Sequence, residues 1–359
     1  MRRCTICCRA TLRHILQLMK HTATWTPSAE QMALWPPISG NTINGVGEQE
    51  VRRPTPVYWH APDATPHGPL QLWFYSRITP MVEAARQERM RANAVQIAPP
   101  AGDPQPFSAA DWSRDVKAAA LAAGADIVGI TRVQPQWVFE GHEVTHAFAI
   151  MLGVAHDWTA LQTAPGEPAA AEVVRQYARG ILAAKGLAAF IRARGHDALP
   201  LGGPMAFPML LLPAAMSAGL GELGKHGSLI NRTLGSNLRL ACVLTDIPLI
   251  ADAPDDFGAD DFCTNCQSCA NACPPEAIRH EKTLVRGETR FYVDFDRCLP
   301  FFNEHQGCAI CLAACPWNRP GVAETLLVKL ASRRARLARE KVRGNETPLS
   351  ETIPSPNGL

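Results

Sequence analysis

The sequence predicts a mixed fold, of the α/β or α+β class, in which a body of helices and strands precedes a small cysteine-rich module. Two observations support this prediction. Apolar stretches with the periods of strands and helices alternate between residues 111 and 250. Eight of the chain's 12 cysteines then fall between Cys263 and Cys315. A chain of 359 residues, 47% of them hydrophobic, is long enough for one sizeable core and a small second module.

The first part of the chain shows little of the patterning of a folded domain. Residues 1–56 are expected to be poorly ordered. Residues 57–110, rich in proline and aromatic residues, are expected to form an arm over the body or part of a pocket lid, with ordinary loop-and-helix cover as the preferred interpretation. Arg2 and Arg3 are compatible with a twin-arginine export signal. However, charged residues interrupt the stretch that follows them and no small-residue cleavage site comes after it, so we predict no export leader.

Residues 111–250 carry the pattern of the body. The expected elements, in order, are a helix capped by Asp111 and running to about Ala123, a strand at 125–130, a strand at 146–154, a helix at 168–196, a turn at 199–204, a short helix at 209–217 and a strand at 238–250. An acidic linker at 252–261 leads into the cysteine-rich module, which we place at 251–322. Residues 323–359 then predict a basic helix to about Arg343 and a disordered tail.

The charge and hydropathy of the chain argue against two classes of partner. A formal net charge of +2 is too close to neutral to indicate a nucleic-acid or membrane-surface protein. No apolar run reaches the length of a membrane span, since the longest one, Met205 to Leu220, contains Pro208 and Pro213. We therefore expect neither a nucleic-acid partner nor a membrane span.

The cysteine-rich module has the spacing of a protein that holds two iron–sulfur clusters. Its cysteines form two runs that each end in Cys-Pro: Cys263-x2-Cys266-x2-Cys269-x3-Cys273 and Cys298-x9-Cys308-x2-Cys311-x3-Cys315. In the bacterial dicluster pattern, three cysteines of one run hold one [4Fe–4S] cube and the fourth reaches the other cube. The expected ligand sets are Cys263, Cys266, Cys269 and Cys315 for one cluster, and Cys298, Cys308, Cys311 and Cys273 for the other.

Zinc and disulfides are the alternative uses of these cysteines. Zinc also favours paired Cys-x2-Cys spacing, and disulfides would need an oxidising compartment that the sequence does not indicate. Two complete sets of four, each followed by proline, favour the clusters. The other cysteines predict no site: Cys4, Cys7 and Cys8 lack partners, and Cys242 sits in an apolar run typical of a buried strand.

Two short motifs are similar to known catalytic or nucleotide-binding signatures. His142 to His146 spells H-E-x-x-H, but no convincing helix carries it, and a zinc-protease site requires that helix. Gly219, Gly221 and Gly224 spell G-x-G-x-x-G, but no strand precedes them, as a dinucleotide fold requires. We expect this loop either to let the backbone approach a flat or bulky group closely or simply to end the preceding helix.

The order of several segments resembles that of a known family. The glycine-rich loop, Gly-Ser-Asn-Leu-Arg-Leu at 235–240, Thr-Asp-Ile-Pro-Leu at 245–249 and the cysteine-rich module follow one another as in the corrinoid-dependent reductive dehalogenases and their relatives, the epoxyqueuosine reductases. The resemblance covers roughly residues 111–320. It implies a nitroreductase-like body that binds a base-off corrinoid such as cobalamin, followed by a ferredoxin-type module whose two clusters supply electrons singly.

The resemblance also implies roles for individual residues. Corrinoid contacts would come from the glycine-rich loop and the residues after it: Gly219, Gly221, Gly224, His226, Gly227 and Ser228. Tyr177 would donate a proton, and Arg239 or Lys225 would supply a cation beside it. Met205 stands where epoxyqueuosine reductases carry a catalytic Asp, and a Met side chain donates no proton, which favours the dehalogenases.

The function that the resemblance implies is removal of halide from a small organohalide with two electrons and one proton. The electrons would come from a soluble donor such as a ferredoxin, a flavodoxin or a reductase, and oxygen-labile clusters without a leader favour the cytoplasm. Two alternatives stay open. One is a corrinoid and iron–sulfur reductase of a non-halogenated substrate, and the other is a non-catalytic iron–sulfur subunit that passes electrons to a partner.

Overall fold

The structure, a computed structural model that describes residues 25–205 and 208–345, is built around a four-stranded antiparallel sheet. The strands are β1 (Ile127–Arg132), β2 (Phe148–Ala155), β3 (Ala198–Leu201), β4 (Glu222–Leu223), β5 (Leu229–Ile230), β6 (Leu238–Thr245), β7 (Thr283–Val285) and β8 (Glu288–Arg290). The main sheet has the order β1-β2-β6-β3, and all neighbours are antiparallel. Strands β4 and β5, and β7 and β8, form two separate hairpins. The predicted mixed fold class is confirmed, and the antiparallel sheet makes it α+β.

Helices cover both faces of this sheet and build most of the cysteine-rich module. They are α1 (Ala29–Met32), α2 (Gly40–Ile43), α3 (Gly68–Ser76), α4 (Pro80–Ala94), α5 (Ala109–Ala122), α6 (Trp158–Leu161), α7 (Glu167–Arg192), α8 (Leu211–Ser217), α9 (Ala259–Asn265), α10 (Ser268–Asn271), α11 (Phe295–Glu304), α12 (Ile310–Ala313) and α13 (Val322–Asn345). Helices α5 and α7 pack on one face of the sheet, and α8 packs on the other.

Strand β2 lies inside the sheet and is buried on both faces. Phe148, Ile150 and Leu152 pack towards α7, whereas Ala149 and Met151 pack towards α8. A strand covered on both sides needs apolar residues at every position, so its sequence shows an unbroken apolar run instead of an alternating one. This is why the strand was recognisable from the sequence while its two faces were not.

Helix α5 begins three residues before the predicted start. Ser108 is its N-cap, and the Ser108 hydroxyl oxygen accepts a hydrogen bond from the backbone N–H of Asp111 at 3.1 Å. Asp111 lies in the first turn, where its carboxylate pairs with Arg114 at 2.8 Å. The prediction that Asp111 caps this helix is therefore wrong. Ser and Asp both favour helix starts, and a carboxylate in the first turn is stabilised by the helix dipole, so the local signals overlap.

The predicted turn at 199–204 begins with a strand that the sequence analysis missed. Strand β3 occupies the edge of the main sheet, and its Pro200 lies opposite Val243 of β6. Proline cannot donate a ladder hydrogen bond, which is why it signalled a turn. An edge strand tolerates it because one side of the strand has no partner.

The N-terminal part of the chain packs against the cysteine-rich module. Gln31 is buried, and its side chain donates to the backbone oxygen of Pro300 at 3.0 Å and accepts from the Asn303 amide at 2.8 Å. The backbone N–H of Gly40 donates to Asp296 at 2.8 Å. The expected poor order therefore does not hold for residues 25–56.

Several predictions on the chain ends fall partly outside the described residues. Residues 1–24, with Arg2, Arg3 and the three terminal cysteines, lie outside them, as do residues 346–359 of the predicted tail. The predicted basic helix is present as α13. Over the described ranges, none of the helices combines the length and the apolar character that crossing a bilayer requires.

We predict that Gln31→Ala lowers the free energy of unfolding by about 1–3 kcal/mol, because it leaves the Asn303 amide and the Pro300 carbonyl buried without their partner. Denaturant unfolding followed by far-UV circular dichroism under anaerobic conditions measures this. Gln49→Ala, at an exposed position of the same segment, is the matched control. Equal stability of the two variants would contradict the packing of this segment on the module.

Candidate functional site

The first group of cysteines combines both runs of the module. Cys263 on α9 and Cys269 on α10 surround a small cavity together with Cys266 and Cys315. Burial raises the pKa of the Cys315 thiol to about 12, and the charges of the other three sulfurs contribute to the rise. The structure thus brings together the four thiols of the first predicted ligand set.

The second group lies directly beside the first. Burial raises the pKa of the Cys298 thiol to about 12, with contributions from Cys308 and Cys273. The pKa of Cys311 is raised well above its usual value by burial and by four neighbouring sulfurs, those of Cys308, Cys298, Cys269 and Cys273. Cys269 belongs to the first group, so Cys311 marks the point where the two groups meet.

The donor chemistry of both groups fits iron–sulfur clusters. All eight side chains are free thiols, and soft sulfur ligands in sets of four are those that a [4Fe–4S] cube uses. The four cysteines of the first set line one small space. Over the part of the chain that the structure describes, no group of three or more His, Cys, Asp or Glu side chains is arranged to hold a single metal ion.

The long spacer after Cys298 is mainly helical. Cys298 lies in the first half of α11, which continues to Glu304, and a turn then leads to Cys308. This turn places Gln306, Cys308 and Ala309 in the left-handed region, with φ between 47° and 64°. Such a conformation costs about 1–2 kcal/mol for a residue with a Cβ. The strained turn places Cys308 close enough to Cys298 for the two sulfurs to interact electrostatically.

A cavity of about 680 Å³ separates the body from the cysteine-rich module. Its wall combines three parts of the chain: Tyr58, Trp59 and His60 from the N-terminal part, Leu211, Leu212, His226 and Gly227 from the body, and Tyr292, Phe295, Cys298 and Cys311 from the module. Cavities of this size with mainly apolar walls hold small molecules and cofactors. The second cysteine group therefore borders directly on a space for a bound group. Tyr58 and Trp59 belong to the segment for which ordinary loop-and-helix cover was the preferred interpretation. The structure places both in the cavity wall, as the pocket-lid alternative predicts.

A smaller cavity of about 200 Å³ adjoins the large one and contains the predicted proton donor. Tyr177 and Arg239 both line it, and Leu211, Leu212 and Gly227 belong to the walls of both cavities. The Arg239 guanidinium lies over the Tyr177 ring, 5.4 Å from its centroid. The Nε atom of Arg239 is buried and has no hydrogen-bond partner within the protein. This unsatisfied donor fits a polar or anionic group bound in the cavity.

His226 separates the large cavity from the first cysteine group. It lines both spaces and is buried. Its Nδ1 accepts from the Ser228 backbone N–H at 3.2 Å, so its Nε2 carries the proton and donates to the Ser236 hydroxyl at 2.8 Å. Burial lowers the pKa of His226 to about 4. The imidazole is therefore neutral and both of its nitrogens are engaged within the protein.

The three glycines of the G-x-G-x-x-G motif contact protein atoms. A Cβ at Gly219 would lie 2.5 Å from the Ala253 carbonyl oxygen, and one at Gly221 would lie 2.0 Å from that of Ile230. A Cβ at Gly224 would meet the His226 ring at 2.5 Å. These glycines permit close packing of backbone on backbone and on His226. Of the six predicted corrinoid contacts, His226, Gly227 and Ser228 are those that line a cavity.

Lys225 lies apart from Tyr177. Its ammonium donates to Gln267 Oε1 at 3.2 Å, and it lines the space between the cysteines of the first group. Arg239, and not Lys225, is the cation that the structure places beside the predicted proton donor. The H-E-x-x-H segment lies in irregular structure, as expected, and His146 Nε2 lies 3.7 Å from the Asp197 carboxylate.

Comparison with known proteins finds one matching domain family and two groups of similar enzymes. Residues 262–319 match the family model of the 4Fe-4S dicluster domain. The chain is 33% identical over 210 residues to the tetrachloroethene reductive dehalogenase of Dehalobacter restrictus, which covers 55% of this chain and 37% of that protein. The structure of the present chain is similar to that of the catabolic reductive dehalogenase NpRdhA in complex with 3-bromo-4-hydroxybenzoic acid. The TM-score is 0.68 at 25% sequence identity, and the match covers 87% of this chain and 49% of the other.

The chain is similar in sequence and in fold to reductive dehalogenases.

Its relation to epoxyqueuosine reductases covers less of the chain. The epoxyqueuosine reductase of Cyclobacterium marinum is 35% identical over 120 residues, which is 31% of this chain and 38% of that protein. The reductive dehalogenase relatives match a longer stretch, including 258 residues at 29% identity for the protein of Sulfurospirillum multivorans, or 58% of this chain and 50% of the other. The chain thus spans about half the length, or less, of the curated relatives that it matches.

The match to a dicluster domain indicates what the eight cysteines of the module bind. It supports two [4Fe–4S] clusters and disfavours the zinc and disulfide alternatives. Because the thiols are buried, the folded protein without iron must hold them protonated, and binding of the clusters must release those protons.

We predict that the cluster-free protein loses stability as the pH rises from about 9 to about 12. Thiols of the unfolded chain ionise near pH 9, whereas burial raises the pKa values of Cys269, Cys298, Cys308 and Cys315 to about 12 in the folded state. The unfolded state thus binds fewer protons in this range, so rising pH favours it. Denaturant unfolding at several pH values measures the slope.

The iron-loaded protein is the control for this measurement. Its coordinated thiolates carry no proton to release between pH 9 and pH 12, so its stability should lack that slope. The same slope in both forms would show that other groups cause the alkaline loss of stability.

Proposed function

We propose that this protein is a corrinoid- and iron–sulfur-dependent reductive dehalogenase that removes halide from a small organohalide with two electrons and one proton. The observation that carries the proposal is the large cavity. One side of it is formed by cysteines of the second group, and on another side it joins the small cavity of Tyr177 and Arg239. Electrons from the second cysteine group and a proton from Tyr177 could therefore reach the same space.

The proposed cluster ligands are the two groups of cysteines found side by side. Cys263, Cys266, Cys269 and Cys315 would hold the first cluster, and Cys298, Cys308, Cys311 and Cys273 the second. Cys298 and Cys311 line the cavity and Cys263 does not. Electrons from a soluble donor, such as a ferredoxin, a flavodoxin or a reductase, would thus leave the module through the second cluster.

The large cavity is the proposed corrinoid site. Its wall is mainly apolar and aromatic, and His226 and Gly227 bring the backbone after the glycine-rich loop to its surface. The name of one solved relative, with a TM-score of 0.67 and 25% identity, refers to B12-dependent dehalogenation. When bound, a corrinoid supplies the cobalt chemistry that cleaves the carbon–halogen bond. The chain itself supplies the enclosure, the exclusion of water and the proton.

Tyr177 is the proposed proton donor, and Arg239 is the proposed cation beside it. Loss of the phenolic proton leaves a negative charge on the tyrosine oxygen. The Arg239 guanidinium, 5.4 Å from the ring centroid, would interact favourably with that charge. Arg239 Nε also lacks a protein partner, so it remains available to the substrate or to the departing halide.

The two alternatives fit the structure less well. A reductase of a non-halogenated substrate, similar to epoxyqueuosine reductase, is disfavoured by the shorter match to those enzymes and by Met205 at the position of their acid. A non-catalytic electron carrier needs no enclosed space in the body, yet both cavities have walls there. We propose the cytoplasm as the location, since oxygen damages exposed iron–sulfur clusters.

We predict that Leu211→Trp abolishes cobalamin binding without loss of iron. Leu211 lines both cavities, and an indole at this position fills the space that the macrocycle needs. Anaerobic reconstitution followed by gel filtration, with the optical spectrum and the iron content of the protein peak, measures both. Leu182→Trp, at an exposed position of α7, is the control. Wild-type cobalamin binding by Leu211→Trp would place the corrinoid elsewhere.

We predict that Tyr177→Phe lowers the rate of halide release by about 10²–10⁴-fold while cobalamin and iron contents stay unchanged. The Phe side chain keeps the aromatic ring but lacks the phenolic hydroxyl that would donate the proton. Tyr75→Phe is the matched control, because Arg86 lies over the Tyr75 ring at 5.5 Å, away from both cavities. Unchanged halide release by Tyr177→Phe would remove this residue from the mechanism.

A further inference from the structure

Lys225 is a buried cation that the proposed dehalogenation chemistry does not use. Its side chain is 1% exposed, which is unusual for lysine. Its ammonium donates to Gln267 Oε1 at 3.2 Å and to the Thr264 carbonyl oxygen at 3.5 Å. It also lies 5.3 Å from the centroid of the Phe291 ring. None of these neighbours is a carboxylate, so the protein here buries a positive charge without a paired anionic side chain.

The cysteines of the first group are the anionic partners that remain. Lys225 lines the same small space as Cys263, Cys266, Cys269 and Cys315. The Lys225 backbone N–H donates to the Cys263 sulfur, and the Lys225 ammonium acts electrostatically on Cys263 and Cys269. The charge of Lys225 thus lies close to the sulfurs of the first group.

The segment that carries Lys225 is fixed to the helix that carries Cys263. The Glu222 carboxylate accepts hydrogen bonds from four successive backbone N–H groups at the start of α9, those of residues 257–260, at 2.8–3.3 Å. Lys225 donates to Thr264 near the end of the same helix. Hairpin β4–β5 therefore holds both ends of α9, and the position of the ammonium relative to the sulfurs is set by rigid contacts.

We propose that Lys225 raises the reduction potential of the cluster held by Cys263, Cys266, Cys269 and Cys315, and so makes that cluster the acceptor of electrons from the external donor. This inference rests on the cluster assignment under the proposed function. Reduction adds one negative charge to a cube that four thiolates already make negative. A fixed positive charge in a medium of low dielectric stabilises the reduced form more than the oxidised form. The second cluster, which borders the cavity, lacks Lys225 in its surroundings.

The test replaces Lys225 and measures cluster potentials, not dehalogenation. Lys225→Met and Lys225→Gln remove the charge, and Gln keeps a hydrogen-bond donor. Lys225→Arg keeps the charge. Each purified protein is titrated anaerobically with a reductant, and electron paramagnetic resonance follows the two clusters. We expect one of the two midpoint potentials to fall in both neutral variants, with the other unchanged, and Lys225→Arg to stay close to wild type.

Lys282→Met is the matched control. Lys282 lies 5.1 Å from the centroid of the same Phe291 ring, but its ammonium pairs with Asp260 at 2.6 Å on the surface. Lys282→Met removes one positive charge near Phe291, and Lys282 does not line the space between the cysteines of the first group. Because solvent screens this charge, both potentials should match those of wild type.

Three results would overturn the proposal. Unchanged potentials in the neutral variants with full iron content would show that the charge has no effect on the cluster. A shift in Lys225→Met but not in Lys225→Gln would assign the effect to hydrogen bonding. Loss of iron in both neutral variants would make Lys225 an assembly residue. Absence of iron–sulfur signals from the wild-type protein would instead refute the cluster assignment. Absence of dehalogenase activity would refute the proposed reaction, but the cluster potentials would still test the role of Lys225.

Discussion

The exchange of one cysteine between the two runs is the constraint on which the rest of the structure depends. Cys315 lies with Cys263, Cys266 and Cys269, although more than forty residues of chain separate it from them. Cys273 lies in the same way with Cys298 and Cys308. Neither group is complete until both halves of the module have folded against each other. The thiols must also ionise inside a space that disfavours charge, so cluster binding and folding are coupled.

Other parts of the chain close around this module and create the cavity as they do so. The N-terminal segment is hydrogen-bonded to α11 through Gln31 and Gly40. The same part of the chain contributes Tyr58 and Trp59 to the cavity wall. Hairpin β4–β5 is bonded to α9 through Glu222. The cavity wall thus combines parts of the chain that are distant in sequence and that come together only in the folded protein.

Sequence reasoning succeeded where a short stretch of chain determines the geometry. Cysteine spacing predicted which thiols lie together in each group, and their use as cluster ligands stays a prediction. It failed for the N-terminal segment, since the partners of Gln31 lie about 270 residues away and leave no local signal. It also gave Lys225 and Arg239 as equal candidates for one role. The two lie on neighbouring elements, and the tertiary structure alone separates Arg239, over Tyr177, from Lys225, among the cysteines.

That separation has a physical logic. Two steps of the proposed chemistry create negative charge inside the protein: an electron entering a cluster, and a proton leaving a phenol. Each step would be costly in a site with little water unless a cation stood ready beside it. One shared cation could not serve both, because an electrostatic interaction in the interior weakens with distance and the cysteine group and Tyr177 line different cavities. The fold instead supplies two separate cations, Lys225, which is buried, and Arg239, which is half-buried. In the proposed mechanism, the lysine close to the sulfurs would favour electron entry and the arginine over the tyrosine ring would favour proton release, so different residues would adjust the two events.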